Sequence, residues 1–155
     1  MAADLTGKRI IVTGAATGIG RSTALRVSAN GAKVAAFDVN DADGATTTSD
    51  INEAGGDARY WHVDVRDETA VAGAVAAAET WLGGIDVLIH VAGVLQGAAV
   101  DLDEFPEEMW DTVVDINLRG SFVISKFVSG VMKKQRSGVI ILTASGAGVL
   151  GGSSS

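Results

Sequence analysis

Three glycines between residues 13 and 20 form the part of this sequence best suited to bind phosphate. Gly14, Gly18 and Gly20 stand at relative positions one, five and seven of a segment that follows an apolar strand and opens a helix. Backbone N–H groups at a helix N-terminus bind a pyrophosphate, provided that no Cβ atom holds the ligand away. The spacing predicts a dinucleotide-binding turn, and a glycine-rich turn with close helix packing and no ligand is the alternative.

The phosphate loop of ATPases and GTPases has a related pattern, G-x-x-x-x-G-K-[ST], which fits this turn poorly. Ala15 stands where that pattern opens with glycine, and Arg21 stands where it has the lysine that reaches the phosphates. The dinucleotide interpretation is therefore preferred.

Asp38 ends the second predicted strand and is the second residue suited to bind a nucleotide. A carboxylate at this distance from the glycine turn accepts hydrogen bonds from the ribose hydroxyls of an adenosine. A 2′-phosphate ~4 Å away would be repelled by about 4 kcal/mol at an effective dielectric constant near 20. No lysine or arginine lies among residues 15–17 or 39–40 to neutralise that phosphate, so the sequence favours NAD over NADP. The alternative is that Asp38 caps the next helix.

Five apolar runs, separated by segments of helical periodicity, supply the elements that position these residues. Strands are predicted over residues 10–12, 34–37, 58–63, 87–89 and 139–142. Helices are predicted from Gly20 to a stop at Gly31, over 41–53, over 71–82, and along one long segment from 109 to 127. This alternation predicts an α/β fold, a doubly wound parallel sheet covered by helices on both faces.

Composition excludes several function classes. Of the 155 residues 47% are apolar, enough for one buried core, and residues 1–155 are treated as one domain. The formal charge of −7 opposes binding to nucleic acid, and the absence of cysteine excludes thiolate metal sites. No apolar run approaches the roughly 20 residues of a membrane span, and the first residues form no signal peptide. We expect a soluble, cytoplasmic protein with no nucleic acid, membrane or metal partner.

Taken together, these motifs resemble the short-chain dehydrogenase/reductase family from Thr13 to the C-terminus. The segment T-G-x-x-x-G-I-G is similar to the family's cofactor turn. The resemblance implies a Rossmann fold that binds NAD, with these turn residues at the cofactor: Gly14, Thr17, Gly18, Ile19 and Gly20.

Two later segments resemble other parts of the family's cofactor site. Asp64-Val65, after the third strand, is similar to its adenine-binding pair, with a helix N-cap as the alternative for the aspartate. Val91, Ala92 and Gly93 stand in the sequence H-V-A-G where the family usually has N-N-A-G, which implies a backbone role beside the cofactor ribose. The sheet-bracing hydrogen bonds of the replaced asparagine side chains are expected to be lost.

The resemblance also identifies two catalytic residues. Asn117, in the sequence I-N-L-R-G, matches the family's catalytic asparagine, which supports a bound water through its backbone. Ser145, in the segment 143–148, matches the catalytic serine, whose hydroxyl bonds the reacting substrate oxygen. These matches imply hydride transfer between NAD and a secondary alcohol or ketone. The family's habit of packing its long helix against a second copy implies a homodimer or homotetramer.

The family's acid–base tyrosine, with a lysine four residues later, has no match in this chain. It would follow Ser145 further along than residue 155, and the one tyrosine present, Tyr60, belongs to the third strand. We therefore expect a C-terminally incomplete sheet, whose fifth strand lacks a neighbour, and a chain that is inactive alone. A non-catalytic dinucleotide-binding module or a truncated fragment is the alternative, and a methyltransferase on a similar sheet fits less well.

The remaining polar and aromatic candidates are expected to be structural. His62 and His90 lie at strand ends without metal-ligand spacing, and are predicted to be satisfied, buried or half-buried side chains. Lys126 is predicted to lie on the surface, the acidic run 101–108 to cap the long helix, and Trp110 and Phe122 to serve packing or an interface.

Overall fold

One parallel five-stranded sheet organises the chain. The computed structural model describes residues 4–97 and 100–146. The strands lie side by side in the order β3-β2-β1-β4-β5, and every neighbouring pair is parallel. Their bounds are Arg9–Thr13 (β1), Lys33–Asp38 (β2), Asp57–His62 (β3), Val87–His90 (β4) and Val139–Leu142 (β5). The doubly wound sheet predicted from the sequence is confirmed, and its winding reverses between β1 and β4.

Helices cover both faces of this sheet. Their bounds are Gly18–Ala29 (α1), Asp41–Glu53 (α2), Glu68–Leu82 (α3), Glu107–Val114 (α4) and Gly120–Gln135 (α5), with a 3₁₀ turn at Leu102–Glu104. Local chemistry sets several ends: Asn40 and Asp67 cap α2 and α3 through their side chains, and Gly83 ends α3 at φ +78°.

Alternate residues of the central strands feed two separate cores. Ile11 of β1 and Leu88 of β4 lie in the core beneath α3 and α5, whereas Ile10 and Val12 lie in the core beneath α1 and α2. This follows from the alternation of side chains along a strand. It explains why β1 and β2 appear in the sequence as continuous apolar runs.

The long helix predicted over residues 109–127 is interrupted, which corrects the sequence-based expectation. Between α4 and α5 lies one π-helical turn, Asp115–Arg119, which contains Asn117. The apolar spacing continues through the turn, so periodicity alone did not reveal it. Such π turns are rare and occur frequently at functional sites.

The amino ends of β1 and β4 are joined by a paired aspartate and arginine. Arg9 donates to the Asp86 carboxylate from its backbone nitrogen and Nε, both at 2.9 Å, and from Nη2 at 2.7 Å. The Asp86 backbone nitrogen donates back to the Arg9 carbonyl at 2.8 Å. This clamp fixes the register of β1 against β4 at the end of the sheet opposite the glycine turn.

β5 forms one edge of the described sheet, as expected. It pairs with β4, and no other strand among residues 4–97 and 100–146 lies on its far side. Its side chains Val139, Ile141 and Leu142 are each about half exposed. In the same described part of the chain, no helix is long and apolar enough to cross a membrane.

Candidate functional site

A cleft of about 410 Å³ lies at the carboxyl ends of the first four strands. Ligands of open α/β sheets bind at this edge, where the strand order reverses. Every residue that the sequence predicted to bind the cofactor lines this cleft: Gly14, Thr17, Gly18, Ile19, Gly20, Asp38, Asp64, Val65, Val91, Ala92 and Gly93. Residues from four separate βα connections are thus brought together.

Each glycine of the turn meets a different spatial demand. Gly14 has φ +68°, and a Cβ there would lie 2.8 Å from the Ala92 nitrogen. A Cβ on Gly20 would overlap the Gly14 carbonyl, so α1 packs on the turn too closely for any side chain. Gly18 has φ +53°, and a Cβ there meets no protein atom within 4 Å. Protein packing therefore does not require glycine at this position. Because Gly18 lines the cleft, the absence of a side chain there leaves room for a ligand.

The N-terminus of α1 is open to an anion. Thr17 caps the helix without a side-chain hydrogen bond, and the first turn carries no acidic residue. By contrast, side chains of Asn40 and Asp67 accept from first-turn nitrogens of α2 and α3, and those turns contain acidic residues. The backbone N–H groups and positive dipole end of α1 therefore face the cleft without a competing carboxylate on their own helix.

Asp38 ties the glycine turn to the end of β2. Its Oδ2 accepts from the Ala16 nitrogen at 2.9 Å and its Oδ1 from the Asn40 nitrogen at 3.0 Å. The Tyr60 hydroxyl donates to the Asp38 carbonyl at 2.7 Å. The alternative role of Asp38 as a helix cap is wrong, because Asn40 caps α2.

Asp64 is held by Arg66, a cleft residue that the sequence analysis missed. Arg66 donates to the carboxylate from Nε at 3.0 Å and from Nη2 at 2.6 Å, and its hydrogen bonds hold the pKa of Asp64 below the ordinary value. The alternative role of Asp64 as an N-cap is also wrong, because Asp67 caps α3. Arg66 lacked a motif, and only its position just past a strand end could have indicated it.

The other missed cleft residues are apolar. They are Phe37, Val39, Val63, Val94 and Ile116. In the sequence, side chains of this type beside a strand end are indistinguishable from core residues.

His90 corrects the expected loss of side-chain hydrogen bonds at the end of β4. Its Nδ1 lies 2.7 Å from Oγ1 of Thr13 on β1, so the ring braces the same two strands. The side chain is 2% exposed, and burial lowers its pKa to about 4. His90 is buried as predicted but only half satisfied, because Nε2 has no hydrogen-bond partner among the described residues.

Asn117 lies beside the cleft and braces its wall. Its Oδ1 accepts from the Val94 nitrogen and its Nδ2 donates to the Val94 carbonyl, both at 2.8 Å. These two hydrogen bonds join the π turn to the segment that follows β4. The Asn117 carbonyl accepts from the Ser121 hydroxyl at 2.6 Å.

Ser145 is exposed and lies three residues beyond the end of β5, outside the residues that line the cleft. The strand leading to it is anchored, because the Thr143 hydroxyl donates to the His90 carbonyl at 2.8 Å. Residues 147 and 148 of its motif lie outside the described residues.

The residues expected to be structural are mainly at the surface. His62 is exposed, and its Nδ1 lies 2.8 Å from Oδ1 of Asp41, so its predicted burial is wrong. Lys126 is exposed as predicted and pairs with Glu68 of α3 at 2.6 Å.

Pro106 rather than an acidic residue caps α4, whose first turn contains Glu107 and Glu108. No group of three or more potential metal ligands occurs in the described part of the chain.

Several known proteins match this chain in sequence over most of its length. The sequence model of the short chain dehydrogenase family matches residues 8–155. A 2,5-dichloro-2,5-cyclohexadiene-1,4-diol dehydrogenase of Sphingobium indicum is 38% identical over 96% of this chain and 58% of its own length. A 2-dehydro-3-deoxy-L-rhamnonate dehydrogenase (NAD(+)) of a Sphingomonas species is 38% identical over 92% of this chain and 55% of its own.

A solved structure agrees at the level of the fold. The crystal structure of an NAD⁺-bound xylitol dehydrogenase superposes with a TM-score of 0.92 at 37% identity, covering 97% of this chain and 57% of that protein. This chain therefore spans somewhat more than half the length of the relatives that it matches. The strand order, the glycine turn and the family match agree, and the chain belongs to the short-chain dehydrogenase family of oxidoreductases.

Proposed function

We propose that this chain supplies the NAD(H)-binding part of an enzyme that transfers a hydride between NAD(H) and a secondary alcohol or ketone. The observation that carries the proposal is the cleft at the carboxyl ends of β1 to β4, which joins the open N-terminus of α1 to the Asp38 carboxylate. The NAD named for the xylitol dehydrogenase and the rhamnonate dehydrogenase supports the choice of cofactor.

The cleft fits a dinucleotide in shape and in charge. Gly18 lines the cleft and a Cβ there would meet no protein atom within 4 Å, which suits a pyrophosphate that must approach the backbone closely. Asp38 would accept hydrogen bonds from the adenosine ribose, and Asp64 with Val65 would contact the adenine. Val91, Ala92 and Gly93 would line the ribose next to the nicotinamide. When bound, NAD supplies the hydride acceptor that the chain itself lacks.

The described catalytic candidates would act on the substrate side. The Ser145 hydroxyl would donate to the substrate oxygen and stabilise the charge that develops there. Asn117 would hold the backbone of Val94 through its side-chain amide and would support a water through its own backbone. The single tyrosine cannot act as their acid–base partner, because Tyr60 lies on β3 at the opposite edge of the sheet from β5. Its hydroxyl oxygen lies 2.7 Å from the Asp38 carbonyl and 2.9 Å from Oδ1 of Asp41, and burial raises its pKa.

A non-catalytic dinucleotide-binding module is the second candidate. Within the 155 residues the one tyrosine lies on β3, at the opposite edge of the sheet from the strand that leads to Ser145. The two proposals agree on NAD binding and differ only in whether additional sequence restores hydride transfer.

We expect NAD(H) to bind in preference to NADP(H), and Asp38→Ala to weaken NAD affinity roughly 10- to 100-fold, since a charged hydrogen-bond partner of the ribose is lost. Because Asp38 also holds the Ala16 nitrogen, Asp38→Asn separates its two roles. The asparagine keeps an accepting oxygen and removes the charge. This variant should narrow the preference for NAD over NADP and should lose less NAD affinity than Asp38→Ala. Calorimetric titration of both cofactors measures this, with the exposed Asp103→Asn as a charge-matched control. Equal affinities of the wild type for NAD and NADP would contradict the proposal.

Gly18→Val should abolish NAD binding, because it adds a branched side chain at a residue that lines the cleft, next to the proposed position of the pyrophosphate. Valine is also strained at positive φ, so Gly7→Val is the matched control. Gly7 has φ +73°, has no atom within 4 Å of a Cβ, and precedes β1 at the opposite end of the sheet. Calorimetry on folded proteins should show binding lost in the first variant and retained in the second. Unchanged affinity in Gly18→Val would mean that the turn does not hold the cofactor.

The 155-residue chain alone should show no turnover, since positioned acid–base catalysis is worth about 10²- to 10⁴-fold and its tyrosine is missing. A version extended by downstream coding sequence with tyrosine and lysine at the family spacing should reduce NAD with a secondary alcohol. In that version Ser145→Ala should lower kcat about 10²- to 10³-fold, whereas Ser129→Ala on α5 should not. Steady NADH production by the 155-residue chain, with its mass verified, would refute these roles.

The extended form should be a homodimer or homotetramer. The continuous segment of α4, the π turn and α5 exposes Trp110, Leu118 and Phe122, each more than half accessible and spaced eight and four residues apart. Several exposed apolar side chains on one helical segment are typical of a protein interface. Sedimentation velocity should give a dimer or larger, and Phe122→Lys with Leu118→Lys should shift it toward monomer. A monomeric extended protein would contradict this assignment.

A further inference from the structure

His90 connects three strand ends around the cleft. Its ring lies 2.7 Å from the Thr13 hydroxyl of β1, immediately before the glycine turn. Its backbone carbonyl accepts from the Thr143 nitrogen at 3.2 Å and the Thr143 hydroxyl at 2.8 Å, two residues before Ser145. One buried residue thus links the cofactor turn to the segment that carries the serine.

The hydrogen bonds at Thr13 determine the protonation of that ring. Thr13 Oγ1 accepts from the backbone nitrogens of Val91 and Ala92, each at 3.2 Å. A hydroxyl has two acceptor positions and one proton, so both acceptor positions are used. The proton must therefore be donated to Nδ1 of His90, which has to be unprotonated. Because Nε2 lacks a partner among the described residues in either tautomer, Thr13 alone decides between them.

We propose that His90, neutral and protonated on Nε2, is a positioning residue of the cofactor cleft: by accepting the Thr13 proton it frees that hydroxyl to hold the backbone of Val91 and Ala92. This inference rests on the proposed dinucleotide site, since Val91 and Ala92 line the cleft. The same backbone lies within 3 Å of a Cβ placed at Gly14, so a small movement of either segment alters the cleft wall.

Protonation of the ring would undo this arrangement. An N–H on Nδ1 would compete for the hydroxyl oxygen, and one of the two backbone nitrogens would lose its acceptor. Burial is the cause of the lowered pKa of His90, about 4 against an ordinary 6.5. None of the charged groups on the elements packed against this face contributes to that shift: Glu68 and Glu79 of α3, Asp115 and Arg119 of the π turn, and Lys126, Lys133 and Lys134 of α5.

The sign of the pH dependence follows from these values. Well above pH 6.5 the ring is neutral in both folded and unfolded chains, and the contribution of His90 to stability is fully present. As pH falls from 6.5 toward 4, the unfolded chain takes up a proton that the folded chain resists, so stability decreases. Below about 4 the folded ring is protonated too, and the Thr13 contacts are lost.

NMR of the ring nitrogens tests the tautomer directly. The chain has two histidines, so His62→Asn leaves His90 as the only imidazole. Long-range ¹H–¹⁵N correlation should show protonated Nε2 and unprotonated Nδ1 at pH 7.5, with no protonation of the ring down to pH 5. In Thr13→Val the tautomer should become mixed. A protonated Nδ1 in the folded wild type would overturn the proposal without any variant having to fold.

NAD affinity at pH 7.5 tests the positioning role. His90→Leu cannot accept the Thr13 proton and should bind NAD about three- to tenfold more weakly. His90→Asn has an amide oxygen that can accept it, and should restore affinity. Thr13→Ser should bind NAD with the affinity of the wild type, because it keeps the hydroxyl. Thr13→Val should bind NAD as weakly as His90→Leu. Wild-type affinity for NAD in a folded His90→Leu variant would overturn the proposal. If the wild type binds no NAD, the proposed function is refuted, and the NMR measurement of the tautomer still tests the contact between His90 and Thr13.

Urea unfolding between pH 7 and 5 supplies the third readout. The midpoint should fall with pH in the wild type and in His62→Asn, and should fall less in His90→Asn, which does not titrate. An equal decrease in His90→Asn would show that buried neutral His90 does not carry this pH dependence, which would contradict the proposal.

Discussion

The close approach of the Gly14 turn to the backbone of Val91 and Ala92 is the constraint on which the site depends. It brings the loop after β1 against the loop after β4, where the winding of the sheet reverses. Only glycine fits at 14, because φ is positive and a side chain would strike Ala92. The Thr13 hydroxyl then joins the two loops by three hydrogen bonds. The cleft is thus formed largely by backbone, which leaves room for a ligand to contact N–H groups.

The opposite end of the sheet supplies the rigidity that such a backbone site needs. The Arg9–Asp86 pair joins β1 to β4 with several hydrogen bonds, and Gln135 of α5 donates to and accepts from the backbone of Ile85. Two apolar cores, one on each face, pack the helices against the sheet. The stabilising contacts are therefore concentrated between the sheet and its helices and at the amino ends of the strands. The carboxyl ends of the strands carry polar groups that can bind a ligand.

Charge around the cleft is arranged so that each acidic group is held by a specific donor. Asp38 accepts from the Ala16 and Asn40 backbone nitrogens, and Asp64 is paired with Arg66. These contacts orient the carboxylates before any ligand binds, which lowers the conformational cost of binding. They also make Asp38 a structural part of the turn, so its removal affects more than charge.

The sequence alone predicted the doubly wound parallel sheet and its two covered faces, because strand and helix periodicity are local properties. The residues proposed for the cofactor came from the glycine spacing, the position of Asp38 and the family resemblance, and all of them line the cleft. Asp41–Glu53 was predicted to its exact ends by the turn residues around it. The π turn at Asn117 was not predictable, since the apolar spacing continues through it. Arg66, Phe37 and Ile116 became cleft residues only through packing, and the contact of His90 with Thr13 joins residues 77 positions apart. Local pattern fixes which element a residue joins, whereas the neighbours across strands, which decide partners and protonation, exist only after the sheet has formed.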